Sequence, residues 1–148
     1  MTLVELMIVL VVLAVLAAVA WPSYQSAVQR SRRADGMAAL SEIMQAQERW
    51  RAKYPSYRSS LSATVASDGT VTEPALAATS RSGHYALSMS GVTSSGYTVT
   101  ATVRSGSPQT ADTNCQVLQV SISGGNITYS SKSSGGATNA APDPCWAR

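Results

Sequence analysis

MTLVELMIVLVVLAVLAAVAW, residues 1–21, governs how the rest of the chain is read. A single charged side chain, Glu5, stands near the start of this apolar run, and no other charge follows until Arg30. An ionised carboxylate in hydrocarbon is costly, so Glu5 needs a cation that no neighbouring side chain supplies. The nearest candidate is a free α-amino group. A segment that waits in lipid and then exchanges such pairings among identical copies meets that demand, which points to assembly rather than catalysis. As a helix, the uncharged window from Leu6 to Gln29 spans about 36 Å, enough to cross a hydrocarbon core of about 30 Å. Its strictly apolar part ends at Pro22, so a crossing uses Ser and Gln residues near one interface. A cleaved secretory signal is the competing reading. No basic residue precedes the run, however, and helical patterning continues well past it.

From Leu6 to about Lys53 the pattern reads as one long helix whose character changes along its length. Up to Trp21 it is apolar on all sides. Further on, Met37, Leu40 and Met44 form one row at helical spacing, and Ala39, Ile43, Ala46 and Trp50 form a second beside it, making one broad face that needs covering. Gln47 interrupts the first row, which predicts that the stripe drifts onto Ala46 and Trp50. Pro22 predicts a kink or a locally unwound turn, and Gly36 a second soft point. The helix is expected to end before Tyr54-Pro55, because the residue before proline is pushed out of the helical region.

The 148 residues allow one domain plus an extra element. Residues 54–83 turn to Ser, Ala and Thr without strong period, which predicts an extended loop. Two-residue alternation then marks HYALSMS, GYTVTATVR, QVLQVSIS and NITYS as strands, with Gly124-Gly125 as a hairpin turn. Tyr85, Leu87, Met89, Val99, Ala101, Val103, Leu118, Val120 and Ile122 are the candidates to face the helix, while Val117 is out of phase with its strand. The expected fold is α+β, a long N-terminal helix on a four-stranded antiparallel sheet. Its segments are an apolar helix over 1–29, an amphipathic helix over 30–53, a helix-to-sheet loop over 54–83, the sheet over 84–130 and a cysteine-bounded region over 115–145. Cys115 and Cys145, in a chain that reads as exported, predict one disulfide. Such a bridge is worth roughly 3 to 4 kcal/mol and tethers a closing segment too poor in apolar residues to order itself.

The formal net charge of +3 is mild. Arg30, Arg32, Arg33, Arg49, Arg51, Lys53 and Arg58 cluster after the apolar run and read as a solvated or headgroup-facing collar. A nucleic-acid surface is the sharper alternative, and no recognition motif accompanies it. His84 is the sole histidine, and no GxSxG, HExxH or phosphate loop occurs. No catalytic residue, metal set or cofactor is therefore expected. The N-I-T triplet at Asn126 matches a glycosylation acceptor by a pattern that also arises by chance.

MTLVELMIVLVVLAVLAAVAWPSY, continuing through QRSRRADG, resembles the mature N-terminus of a type IV pilin. The usual form there is an aromatic residue, then TLIEL, then an apolar helix with a proline where Pro22 stands. The resemblance is close over roughly the first 55 residues and holds for the head in outline, including the cysteine-bounded C-terminal segment. It implies that a basic leader is removed, that Met1 becomes the N-methylated terminus, and that Glu5 pairs with the Met1 amine of an adjacent subunit. Met1 replaces the usual Phe, and Ala14 stands where many members have Gly, which bears on how far the helix melts between Ala14 and Pro22 on assembly. The partners implied are further copies in a helical polymer, other pilins, the assembly machinery and the inner membrane. The subunit would end in an extracellular pilus, with Arg30, Arg32, Arg33 and Asp35 available for contacts between subunits or for a solvated collar.

The leading functional expectation is a structural subunit of a type IV pilus used for attachment, twitching and DNA uptake. One alternative is a competence-type minor pilin whose head holds DNA phosphates with Lys132, Arg104, Arg81 or Arg148. Another is a pseudopilin of type II secretion, whose major members often carry calcium in the head. Asp112 and Asp143 are too isolated for that ion, and the cysteine pair favours a pilus.

Overall fold

The computed structural model describes residues 2–65 and 71–146. Two compact units divide the chain, Met1–Arg32 and Arg33–Arg148, and one helix, α1 (Leu3–Arg51), contributes to both.

In the first unit every described residue up to Ala27 is exposed, and α1 is the one helix, among the described residues, long and apolar enough to cross a membrane. Of the kink or locally unwound turn expected at Pro22, the unwound turn is absent, because α1 runs through the proline without interruption. Proline removes one backbone bond at a cost of about 3 kcal/mol. Ala17, Ala18 and Ala20 just ahead of it are strong helix formers that carry the helix past the defect. The stretch from Ala14 to Pro22 is therefore helical in the free chain.

In the second unit the remainder of α1 covers a four-stranded antiparallel sheet in the order β3-β4-β5-β6. The strands are β3 (Tyr85–Ser90), β4 (Gly96–Val103), β5 (Val117–Ser123) and β6 (Asn126–Lys132), each overlapping an alternating segment of the sequence. Gly124 and Gly125 make the two-residue turn between β5 and β6 with φ of 56° and 85°, the left-handed geometry that such a turn needs. Ala39, Leu40 and Ile43 bury against Tyr85, Leu87, Val99, Ala101, Leu118, Val120 and Ile122, with Met89 and Val103 half-buried beside them. Tyr97 joins this core from the same face as Val99.

Two helix expectations need correction. Gly36 is a point of close packing and not a soft point, since a Cβ there would lie 3.0 Å from the Tyr85 ring. Gln47 does not interrupt the stripe; it is completely buried. Its amide donates to the Arg58 carbonyl and accepts from the Arg58 N–H, both at 2.9 Å, so the polar group enters the core fully paired.

Inside the expected loop, β1 (Thr64–Val65) pairs with β2 (Val71–Glu73). Ahead of β5, a 3-10 turn covers Pro108–Ala111, capped by Ser107. Cys115 and Cys145 are joined, and the closing segment is further fixed by Asp143, whose carboxylate accepts from Ser131 Oγ at 2.7 Å and from the Cys145 N–H at 2.9 Å.

Candidate functional site

Two regions carry the residues singled out in the sequence. At the start of α1, Glu5 and Thr2 hold each other. The Thr2 N–H donates to Glu5 Oε2 at 3.4 Å, and the Glu5 N–H donates to Thr2 Oγ1 at 3.3 Å. This is a capping box, in which two otherwise unpaired backbone donors at a helix start are satisfied reciprocally. Met1 lies outside the described residues. Arg30 is exposed and reaches back along α1 to the Ser26 carbonyl at 3.4 Å.

In the head, Arg33 forms a forked pair with Asp112, 2.6 Å from Nε to Oδ2 and 3.1 Å from Nη2 to Oδ1. Asp112 is 3% exposed, and an Arg–carboxylate fork of this kind is among the stronger charge-assisted bonds. Asp35 accepts from the Ser82 N–H at 3.1 Å, fixing the turn that leads into β3. Both residues thus position the loops at one end of the sheet. Their partners lie 79 and 47 positions away, so helix spacing gave no sign of them.

That end of the sheet, where β3 and β5 begin and β4 and β6 finish, holds a polar cleft of about 320 Å³. One wall is the Ser82-Gly83-His84 turn and the other is Arg104-Ser105-Gly106-Ser107. Gly83 and Gly106 take φ of 74° and 80°, a conformation glycine adopts without strain. The walls are joined by the Arg104 guanidinium, which donates to the Gly83 carbonyl at 3.2 Å, and by His84 Nδ1, 3.0 Å from Ser107 Oγ. Ser107 also accepts from the Gln109 N–H. His84, the first residue of the alternating HYALSMS segment, therefore lines this cleft. The paired Ser-Gly turns were the available signal.

Arg81 and Arg104 are exposed, Arg104 in the cleft wall and Arg81 one residue ahead of the Ser82 turn, and Lys132 ends β6 in register with Val117, which in turn faces Thr102 of β4. With strands about 4.8 Å apart, Lys132 stands roughly 10 Å across the sheet from the β4 end. The ion pairs among the described residues are Arg33–Asp112 and Lys53–Glu73, so Arg81, Arg104 and Lys132 have no carboxylate partner there. Arg148 lies outside the described residues. Of the acids of this end, Asp112 is engaged by Arg33, Asp143 by Ser131, and one oxygen of Asp35 by the Ser82 N–H, which leaves the other Asp35 oxygen without a hydrogen-bond partner among the described residues. No three His, Cys, Asp or Glu side chains gather into a metal set among the described residues.

Beneath the cleft, burial and the Asp112 carboxylate push the Tyr85 hydroxyl up to about 12. Burial, with Glu48 nearby, raises that of Tyr97 as well.

Residues 22–119 match the family model described as type IV minor pilin ComP, DNA uptake sequence receptor. The match covers Arg81, His84 and Arg104 and stops short of Lys132 and Cys145. No curated protein matches the chain.

Proposed function

Because the chain belongs to the family of the type IV minor pilin ComP, DNA uptake sequence receptor, we propose that its head binds DNA for uptake while its N-terminal helix builds it into a pilus. The chain is a pilin and not an enzyme. The reading favours the competence alternative over the structural fibre subunit that the sequence put first.

The observation that carries it is the cluster of Arg81, Arg104 and Lys132 at one sheet end without acidic partners. Cations without carboxylate partners beside a Gly- and Ser-lined cleft offer charge, and the cleft's serines offer hydroxyl donors, to phosphate oxygens. Such interactions fix the register of a duplex and leave sequence to be read by groups that reach base edges. Before assembly the helix anchors the subunit in the inner membrane with the head in the periplasm. In the pilus, Glu5 pairs with the amine of Met1 on an adjacent copy, and the head is carried to the cell surface.

The test is fluorescence anisotropy of the full chain in detergent with labelled duplex DNA, titrated with salt. Affinity is expected to fall steeply as salt rises, and Arg104→Ala is expected to lower the salt slope by about 0.9, the value for one phosphate left without its cation. Binding without salt dependence, or an Arg104→Ala slope equal to that of the parent, rejects the site.

A further inference from the structure

We infer that the open edge of β6 pairs with the same edge of a second copy, joining two heads into one continuous sheet; the proposal is independent of DNA binding. The two edges of the sheet differ. The β3 edge is covered by the chain itself, with the Ser80 N–H donating to the Tyr85 carbonyl at 2.9 Å and the Leu87 N–H to the Ala78 carbonyl at 2.8 Å. On β6 the closing segment pairs only with the far end, where the Asn139 N–H donates to the Ser131 carbonyl at 2.9 Å and the Ser133 N–H to the Ala137 carbonyl at 3.0 Å.

Across a two-residue hairpin the flanking residues exchange both backbone bonds, so Asn126, Thr128 and Ser130 turn theirs toward β5. Ile127 and Tyr129 then turn theirs outward, in phase with Ser131, and no described residue meets them. Their side chains are 49% and 50% exposed. With Tyr54 they complete the exposed large apolar residues of the described head, and Trp146 stands beside Tyr129 with ring centres 4.9 Å apart.

Proteins ordinarily blunt an open edge with charge, proline or a bulge. Asn126 to Ser131 carry no charge and no proline, and the register with β5 is unbroken. The occupant that fits is the segment itself. Laid antiparallel on a second copy with Thr128 facing Thr128, Ile127 meets the other copy's Tyr129, and Tyr129 meets its Ile127. Aromatic and β-branched side chains make favourable cross-strand pairs, and the arrangement closes on itself by two-fold symmetry. In this register the shared ladder runs from Asn126 to Ser130 on each copy and stops short of Lys132, whose outer flank Thr138 already occupies, so no like charges meet.

The test uses the full chain in detergent micelles, carrying Thr128→Cys and mildly oxidised. Facing residues of a pair not bonded to each other lie about 4.5 Å apart at Cα, within reach of a disulfide. Ser88→Cys, exposed on β3, measures chance collision. The covalent dimer of Thr128→Cys is expected to exceed that of Ser88→Cys at least tenfold. Adding Ile127→Lys, or Tyr129→Lys should the first variant melt below the parent, is expected to reduce it at least tenfold. Equal yields from positions 128 and 88, or a yield indifferent to both lysine variants in folded protein, overturn the proposal.

Discussion

One helix lives in two solvents. From Leu3 to Ala27 every residue of α1 is exposed, although most are apolar, whereas from Gly36 to Gln47 the same helix buries Gly36, Ala39, Leu40, Ile43 and Gln47. The second half has its cover within the chain, and the first must find its cover in lipid or in other copies. Stability of the head and competence to assemble are therefore separate properties, and a substitution is expected to move one without the other.

The largest test is Glu5→Ala, expected to abolish incorporation into pili while the head melts unchanged; electron microscopy with calorimetry on the same variant reads both. Parental amounts of the Glu5→Ala subunit in purified pili break the separation. In the other half, Cys115→Ser is expected to lower head stability by roughly 3 to 4 kcal/mol, the chain-entropy value of the bridge, in denaturant titrations, without loss of membrane insertion. Next comes Asp112→Ala, which strands the Arg33 guanidinium, 16% exposed; removing one partner of a buried pair costs about 3 kcal/mol or more. The smallest effect belongs to Tyr97→Phe. The Tyr97 hydroxyl is buried with no partner among the described residues, so its removal is expected to be neutral or stabilising by about 1 kcal/mol. It also changes the alkaline limb. Burial raises the folded-state pKa of Tyr85 to about 12 and that of Tyr97 as well. The stability each contributes is therefore complete below the ordinary tyrosine value near 10 and is lost as pH rises through the folded value. Tyr97→Phe is expected to unfold less readily than the parent above about pH 10, and identical pH-stability curves would count against that coupling.

The parts of the fold legible in the sequence are those set by local period. Helical spacing gave Leu40 and Ile43, two-residue alternation gave Leu87, Val99 and Val120, and paired glycines gave the β5–β6 turn. What escaped depends on partners distant in the chain. Gln47 reads as a break until the Arg58 backbone arrives to satisfy its amide, and Arg33 reads as collar until Asp112 is folded against it. The three head cations were identifiable as isolated charges. That Arg81, Arg104 and Lys132 share one end of the sheet follows only from the register of four strands, which no single segment encodes.

The mutual hold of Thr2 and Glu5 has a kinetic consequence for a subunit held in reserve. The carboxylate is not left bare, because the Thr2 N–H supplies a donor through a contact of 3.4 Å that is long for a hydrogen bond. In the proposed pairing with a neighbouring amine, a stronger donor from outside would displace that contact at small cost, and its departure would restore it. A polymer built on such a substitution would gain and lose this subunit over the same shallow step.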